Sequence, residues 1–526
     1  MAASDHEFDA IVIGSGIGGL AAASLLAQFH HARVLVVERH FRLGGFTHEF
    51  RRGPYRWDVG LHYVGRMGRE SSSRAMMDLV TSGAVEWDPL PDDFDVFHYP
   101  DLTLAAHADP QVYRDRLVAA FPDEADGIDA YFADVKKAAA WVGRETFSWS
   151  APRPLRPIMG LGTRQARRLA TGTTAEQIGR RVRDPALRAV LASQWGDYGL
   201  PPRRSAFGIH ALIVDHYAHG GWYPRGGSEA IAEAAMSVIE DAGGSCRVNH
   251  EVEQILIERG RAVGVQVHVR RGRGGSEAIF RAPVIISNAG AHTTYDRLVP
   301  RGHADDLLAT VTSAEASMSA ITLYLGLRES PASIGLTGAN HWHFTGYDHD
   351  AVVTDDGLLA ARPAMAYLSV PSVKDRAASA HTAEIITFGP TKAFAPWRGT
   401  DWMRRGEDYE ALKKRIADGL IDFVEQHHRG LRDLIDRAEV STPVTVETFT
   451  GHRDGGIYGI AATPERFERR LVSARSPIPG LVLAGADVCS PGIVGSLMGG
   501  VFAVGAARGM RAVGSIMQSA ARRRAG

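Results

Sequence analysis

Gly14, Gly16, Gly18 and Gly19 break the stretch Asp9–Arg33, DAIVIGSGIGGLAAASLLAQFHHAR, where a β-branched run, AIVI, meets an Ala/Leu run, LAAASLLAQF. The segment carries no charge from Ala10 to Phe29, about the length of a membrane-spanning helix. Glycines at this density weaken the helix that crossing lipid demands. The pattern reads instead as strand, tight turn and helix. In GxGxxG each glycine has its own role, with the turn at Gly14, close approach of a pyrophosphate at Gly16, and packing of helix on strand at Gly19. A dinucleotide is predicted, its phosphates at the helix N-terminus, where unpaired N–H groups and the macrodipole favour anions.

The next strand, RVLVVER, ends in Glu38, placed about twenty residues past the glycines as a ribose-binding acid should be. RHFRLGGF follows at once. Gly44 and Gly45 directly after the acid are foreign to ordinary NAD domains, and the arrangement resembles the FAD-binding class that includes amine oxidases and phytoene desaturases.

At 526 residues the chain exceeds the size at which single cores stop growing, so two domains sharing an interface are expected. Lys+Arg of 59 against Asp+Glu of 60 gives a net charge of -1, which offers nucleic acid no general attraction. Cys246 and Cys489 make neither a disulfide framework nor a metal cluster, and suit a reducing, cytoplasmic compartment. The opening MAASDHEFDA has no basic region ahead of an apolar one, so no secretory signal is read there.

The organisation reads as an interrupted α/β domain. A discontinuous dinucleotide domain takes residues 1–68, 218–290 and 446–515; a substrate domain, partly helical and α+β, takes 69–217 and 291–445; 516–526 is a basic C-terminal tail. The stretch from Arg69 to Tyr217 is predicted mainly helical. MSAITLYLGL and AEIITFG are strands, with a helix near Tyr409–His427. GRGGS at 272–276 joins two strand-like segments as a hairpin or loop, not as a second nucleotide fingerprint.

Taken in order, GSGIGGLAAA, VVERHFRLGG, WDVGLHYVG, GGWYPRGGSEAIA, VIISNAG and LVLAGADVCSPGIVGSLMGG resemble the carotenoid and retinoid oxidoreductase family. WDVGLHYVG, GGWYPRGG and LTGANHWHF lean toward its retinol saturase and carotenoid isomerase branch, with phytoene desaturases more distant. The similarity spans nearly the whole chain. It implies an FAD-binding Rossmann-like domain of the amine oxidase and phytoene desaturase type, with an inserted α+β substrate domain and non-covalent FAD. It further implies that Glu38 holds the adenosine ribose, that Arg42, Gly44, Gly45 and Gly60 line the pyrophosphate and flavin edge, and that the Val252 backbone meets the adenine. Asp487 is implied beside the ribityl group, as an acceptor for a hydroxyl or backbone amides. The helix beginning near Val494 is implied to aim its N-terminus at the flavin, stabilising the charge of its reduced form.

For the chemistry, His62 in GLHYVG is the first proton-transfer candidate, with Tyr458 and Asp454 in GHRDGGIYG as residues closing the substrate cavity. His341 and His343 in NHWHF alternate like one strand face and are candidates for the cavity wall. No metal is expected: His210, His216 and His219 have no single-face spacing on a helix. Without a second fingerprint, electrons come from an external partner such as a quinone, oxygen, a flavin carrier or transiently bound NAD(P)H. PRPLRPIMGLGTRQARRLA and the terminal QSAARRRAG suggest a peripheral membrane contact. The expected function is an FAD oxidoreductase saturating, isomerising or desaturating a carbon–carbon double bond of a retinoid-, carotenoid- or acyl-like chain. The alternatives are a lipid-binding module that has lost FAD, or a flavin amine oxidase.

Overall fold

The computed structural model describes residues 8–150, 163–271, 274–353 and 356–525. Among these, a five-stranded parallel sheet runs in the order Ser245–Arg247, Val34–Val37, Ala10–Ile13, Ile285–Ser287, Leu481–Leu483. Its central strand is buried throughout, with Ile11 in register between Leu35 and Ile285. A parallel sheet must be covered on both faces, which is why AIVI and VLVV are unbroken apolar runs. The helix Ile17–His30 covers one face and is itself crossed by the helix Ile493–Arg508. At the crossing a Cβ on Gly500 would lie 2.4 Å from the Gly18 carbonyl, so the backbones touch directly.

A second, seven-stranded sheet has the order Ile435–Ser441, Ala320–Leu327, His381–Phe388, Met365–Ser369, Asn340–Phe344, Asp93–His98, Thr103–His107. All its pairs are antiparallel except Asn340–Phe344 with Asp93–His98. Alternation sorts its side chains. Ile321, Leu323, Leu325, Ala366, Leu368 and Ile385 pack with Ile416, Leu420 and Val424 of the helix Glu407–Glu425. Ala320, Thr322, Tyr324, Trp342, Tyr367, Ile386 and Phe388 face the opposite way, into a cavity.

Among the described residues the stretch 69–217 is mainly helical, as expected, and it also supplies three strands, Trp87–Pro89, Asp93–His98 and Thr103–His107. Asp93–His98 forms a hairpin with Thr103–His107 and joins the sheet through Asn340–Phe344, more than two hundred residues later. Residues 516–525 are no tail: they continue the helix Met510–Ala525, in which Val513 and Ile516 are fully buried. Residues 152–162 of the proposed membrane-contact segment lie outside the described residues, as do 1–7 and 272–273. The strands flanking the latter, Arg261–Arg271 and Gly274–Arg281, pair antiparallel. No helix among the described residues is long and apolar enough to cross a membrane.

Candidate active site

A continuous cavity of about 1150 Å³ runs from the ends of Ala10–Ile13 and Val34–Val37 to the inner face of the seven-stranded sheet. At its first end the glycine turn is sterically fixed. Gly14 has φ +89°, and a Cβ on Gly19 would fall 2.2 Å from the Gly14 carbonyl. Gly16 caps the helix Ile17–His30 and Gly492 the helix Ile493–Arg508; neither helix has a side-chain cap. Gly16, Ile17, Gly18, Ile493, Val494 and Gly495 all line the cavity, so two uncapped helix N-termini present amide N–H groups to it.

Glu38 is buried at the same end. Its Oε2 accepts from Ser15 N at 2.9 Å and Ser15 Oγ at 2.7 Å, and its Oε1 from His40 N at 2.8 Å. The Ser15 hydroxyl also accepts from Gly44 N at 3.1 Å. Ser15 thus joins the acid to the second glycine pair, a role sequence reasoning missed although the residue sits inside GSG. A carboxylate has about four acceptor positions, so one remains for a hydroxyl. Gly44, Gly45, Gly60 and Val252 line the cavity, and Arg42 lies at its edge with Nη1 2.6 Å from Glu229 Oε1.

Asp487 accepts Ala291 N at Oδ2 (2.7 Å) and Ile460 N at Oδ1 (2.8 Å), pinning three segments together. Beside it the buried Arg466 guanidinium hydrogen-bonds the carbonyls of Ile460 and, at 2.6 Å, Ala486. Arg466 was also missed, because an arginine in PERFERR reads as a solvated helix residue. Cys489 lines the cavity with its thiol pushed up to about 11 by burial, which keeps it protonated.

The far end is aromatic and aliphatic, with Trp342, Tyr367, Phe388, Leu212 and Ile213 on its walls. His62 lines it too. Burial, reinforced by the neighbouring Lys374 charge, pushes His62 down to about 3, so it is neutral at pH 7. Its Nδ1 lies 2.8 Å from Glu384 Oε2 without the alignment of a hydrogen bond. Glu384 is pushed well above the usual carboxylate range, by burial first and by Asp58 second. Lys374 donates Nζ–H to the His62 carbonyl at 2.9 Å and to Ser369 Oγ at 2.7 Å, and burial lowers it to about 7.

Asp197 lies on the cavity wall. The Tyr63 hydroxyl stands 2.8 Å from Asp197 Oδ2 and 3.0 Å from Asp95 Oδ2. One hydroxyl proton cannot serve two carboxylates. Asp95 is already the acceptor for Gln194 Nε2 (2.8 Å), Asn340 Nδ2 (3.0 Å) and Trp342 Nε1 (3.2 Å), which favours its charged form. Burial raises Asp95 too, but its amide and indole donors hold that rise down, so of the two carboxyls Asp197 is the better place for a proton, with the Tyr63 hydroxyl between them. Burial, and next the Asp95 charge, hold the Asp197 carboxyl well above its ordinary range. Nothing local in QWGDYG marks this residue.

Tyr458 lines the cavity and donates its hydroxyl to the Gly196 carbonyl at 3.3 Å. Asp454 does not share that wall: it pairs outside with Arg398 and Arg453, at a backbone φ of +57°. His341 and His343 do share a strand face, but it is the face turned from the cavity, and Trp342 between them lines it. His210 is held in the core by Tyr131 and Tyr198, and His216 accepts from Gly65 N at 2.8 Å.

Against known proteins, residues 17–358 match the flavin containing amine oxidoreductase family. The chain belongs to this family. It is 31% identical to an all-trans-retinol 13,14-reductase of Danio rerio, over 94% of this chain and 85% of the relative. It is 28% identical to a chloroplastic prolycopene isomerase of an Oncidium hybrid cultivar, over 93% and 81%. An oxidoreductase from Methanosarcina mazei shares the fold with a TM-score of 0.60 at 16% identity, over 93% of this chain and 98% of that one. The chain is thus an FAD-dependent oxidoreductase of the retinol saturase and carotenoid isomerase branch. The glycine turn, the two uncapped helix ends and the buried acid fit that cofactor.

Proposed function

We propose that the protein reduces a carbon–carbon double bond in a lipophilic polyene of the retinoid or carotenoid kind. The observation that carries this reading is the Asp197 carboxyl, hydrogen-bonded to Tyr63 and raised by burial, on the wall of an aromatic and aliphatic chamber continuous with the dinucleotide end. Saturation needs an electron pair and two hydrogens. Bound FAD supplies the pair and one hydrogen; the chain must supply the other as a proton. A carboxylic acid kept neutral at pH 7 can donate it, whereas desaturation calls for an empty base. The apolar walls hold the polyene at about 25 cal/mol for each Å² removed from water, and exclude solvent from the reacting bond.

The remaining residues have assigned roles in this reading. Gly14, Gly16 and Gly19 shape the pyrophosphate site, Glu38 takes the ribose, Val252 lends its backbone to the adenine, and Arg42, Gly44, Gly45 and Gly60 border the cofactor. Asp487 holds the loops that shape the flavin site, and the helix end at Val494 stabilises reduced flavin. His62, neutral and backed by Glu384 and Lys374, orients the substrate end, and Tyr458 closes it. The dinucleotide domain comprises 1–68, 218–290 and 446–515, with the rest of the helix Met510–Ala525 continuing it, and the substrate domain 69–217 and 291–445. Reductant comes from an external partner such as NAD(P)H, and the protein works in the cytoplasm with a peripheral membrane contact, where the arginines at 522–524 favour anionic lipid.

The test is anaerobic incubation of the dithionite-reduced holoprotein with all-trans-retinol, followed by mass analysis. A product two mass units heavier is expected. Unchanged mass with altered retention would instead indicate an isomerase, and a protein that cannot be loaded with FAD would indicate a lipid-binding module.

A further inference from the structure

Behind the seven-stranded sheet, on the side away from the cavity, histidines from three chain segments converge. His98 ends the strand Asp93–His98, His343 stands opposite it in the parallel register, and His428 follows the helix Glu407–Glu425. One ring nitrogen from each lies within 4.8 Å of the other two. The His98 and His343 rings stack at 4.8 Å, and His343 Nε2 is 3.1 Å from His428 Nε2. His341 adds Nδ1 at 3.1 Å from His98 Nε2, and the exposed His427 ring lies 4.7 Å from that of His98, at the solvent edge.

We propose that His98, His343 and His428 form a site for one divalent transition-metal ion of the zinc class, tying the sheet to the end of the helix Glu407–Glu425. Three arguments support it. First, His343 donates Nδ1–H to the Ala366 carbonyl at 3.3 Å, which leaves Nε2 unprotonated and aimed at the cluster. A backbone carbonyl fixing the tautomer from behind is how metal-bound imidazoles are oriented. Second, a tetrahedral ion with bonds of about 2.0–2.1 Å sets its nitrogens about 3.4 Å apart; the His343–His428 pair, at 3.1 Å, already stands near that spacing, and the His98 nitrogen lies within 4.8 Å of both. Third, the cluster lies just beyond a helix C-terminus that has no basic residue in its last turn, where the macrodipole favours a cation. Neutral imidazoles without thiolates or carboxylates select zinc, copper, nickel or cobalt over calcium or magnesium. Burial keeps these rings neutral, with His98 down to about 3 and His428 to about 4. None of the three lines the cavity, so the ion serves structure and not the flavin chemistry.

The test uses FAD-loaded, untagged protein stripped with a chelator and titrated with Co²⁺, then competed with Zn²⁺. One Co²⁺ per chain with the visible bands of a tetrahedral site is expected, displaced by Zn²⁺. His98→Gln and His428→Gln should each weaken binding at least about tenfold while the flavin spectrum stays that of the parent. No Co²⁺ uptake by the parent, or equal uptake by both variants, would overturn the assignment. Because the variants are read against an unchanged flavin spectrum, misfolding is separated from loss of the ion.

Discussion

The Tyr63 hydroxyl stands 2.8 Å from Asp197 Oδ2 and 3.0 Å from Asp95 Oδ2, and with Asp95 already held by three other donors the arrangement favours a proton on Asp197. The pair converts a buried carboxyl on an apolar wall into an acid at neutral pH. Asp197→Asn keeps the shape and removes the acid. Reoxidation of reduced flavin by the polyene should slow about a hundredfold to ten-thousandfold, the range for loss of a general acid, with FAD content unchanged. In the parent this rate should fall as pH rises through the elevated Asp197 pKa, and stopped-flow traces of the Asn variant should show no such limb.

At the other end of the cavity, Ser15 makes two hydrogen bonds to Glu38 and one to Gly44 N. Ser15→Ala removes the hydroxyl's share of these. Bonds to a charged group are worth about 1.5–3 kcal/mol, so FAD affinity should drop about tenfold to a hundredfold by equilibrium dialysis. Glu38→Ala should lose FAD on gel filtration altogether.

Gly19→Ala would place a methyl 2.2 Å from the Gly14 carbonyl, in the turn that shapes the cofactor site. Overpacking of this kind costs about 1–3 kcal/mol, so a lower Tm with poor flavin retention is the expected result.

His62, His210 and His216 are all pushed by burial from 6.5 to about 3. Between those values the unfolded chain binds more protons than the folded one. Stability is therefore present in full above pH 6.5 and lost as pH falls toward 3. His216 accepts a hydrogen bond from Gly65 N that a glutamine carbonyl can also accept. His216→Gln should flatten the acid limb of a Tm-against-pH curve between pH 6.5 and 4, checked by calorimetry on the holoprotein.

The dinucleotide end was legible because its signals are local: glycine spacing, strand runs and an acid at a fixed distance. The substrate end was not. His341 and His343 betray a shared face through period two, but which face meets the cavity depends on what packs behind, here the helix Glu407–Glu425. Asp197 and Glu384 look like any carboxylates until chain from elsewhere buries them. Asp93–His98 alternates in DFDVFH and pairs with the nearby Thr103–His107, but a short hairpin set among long helical stretches reads as part of them until Asn340–Phe344 joins it to the sheet. Asp454, in GHRDGGIYG beside Tyr458, sits on a turn whose left-handed backbone sends its carboxylate to Arg398 rather than inward.

The most direct test of the account is the absorbance of the bound flavin on anaerobic mixing, made in both directions. Reduced holoprotein mixed with all-trans-retinol should regain the oxidised flavin spectrum as the double bond is saturated, while oxidised holoprotein mixed with primary amines should not bleach. Bleaching by an amine, with reduced flavin left untouched by the polyene, would contradict it and make the chain an amine oxidase.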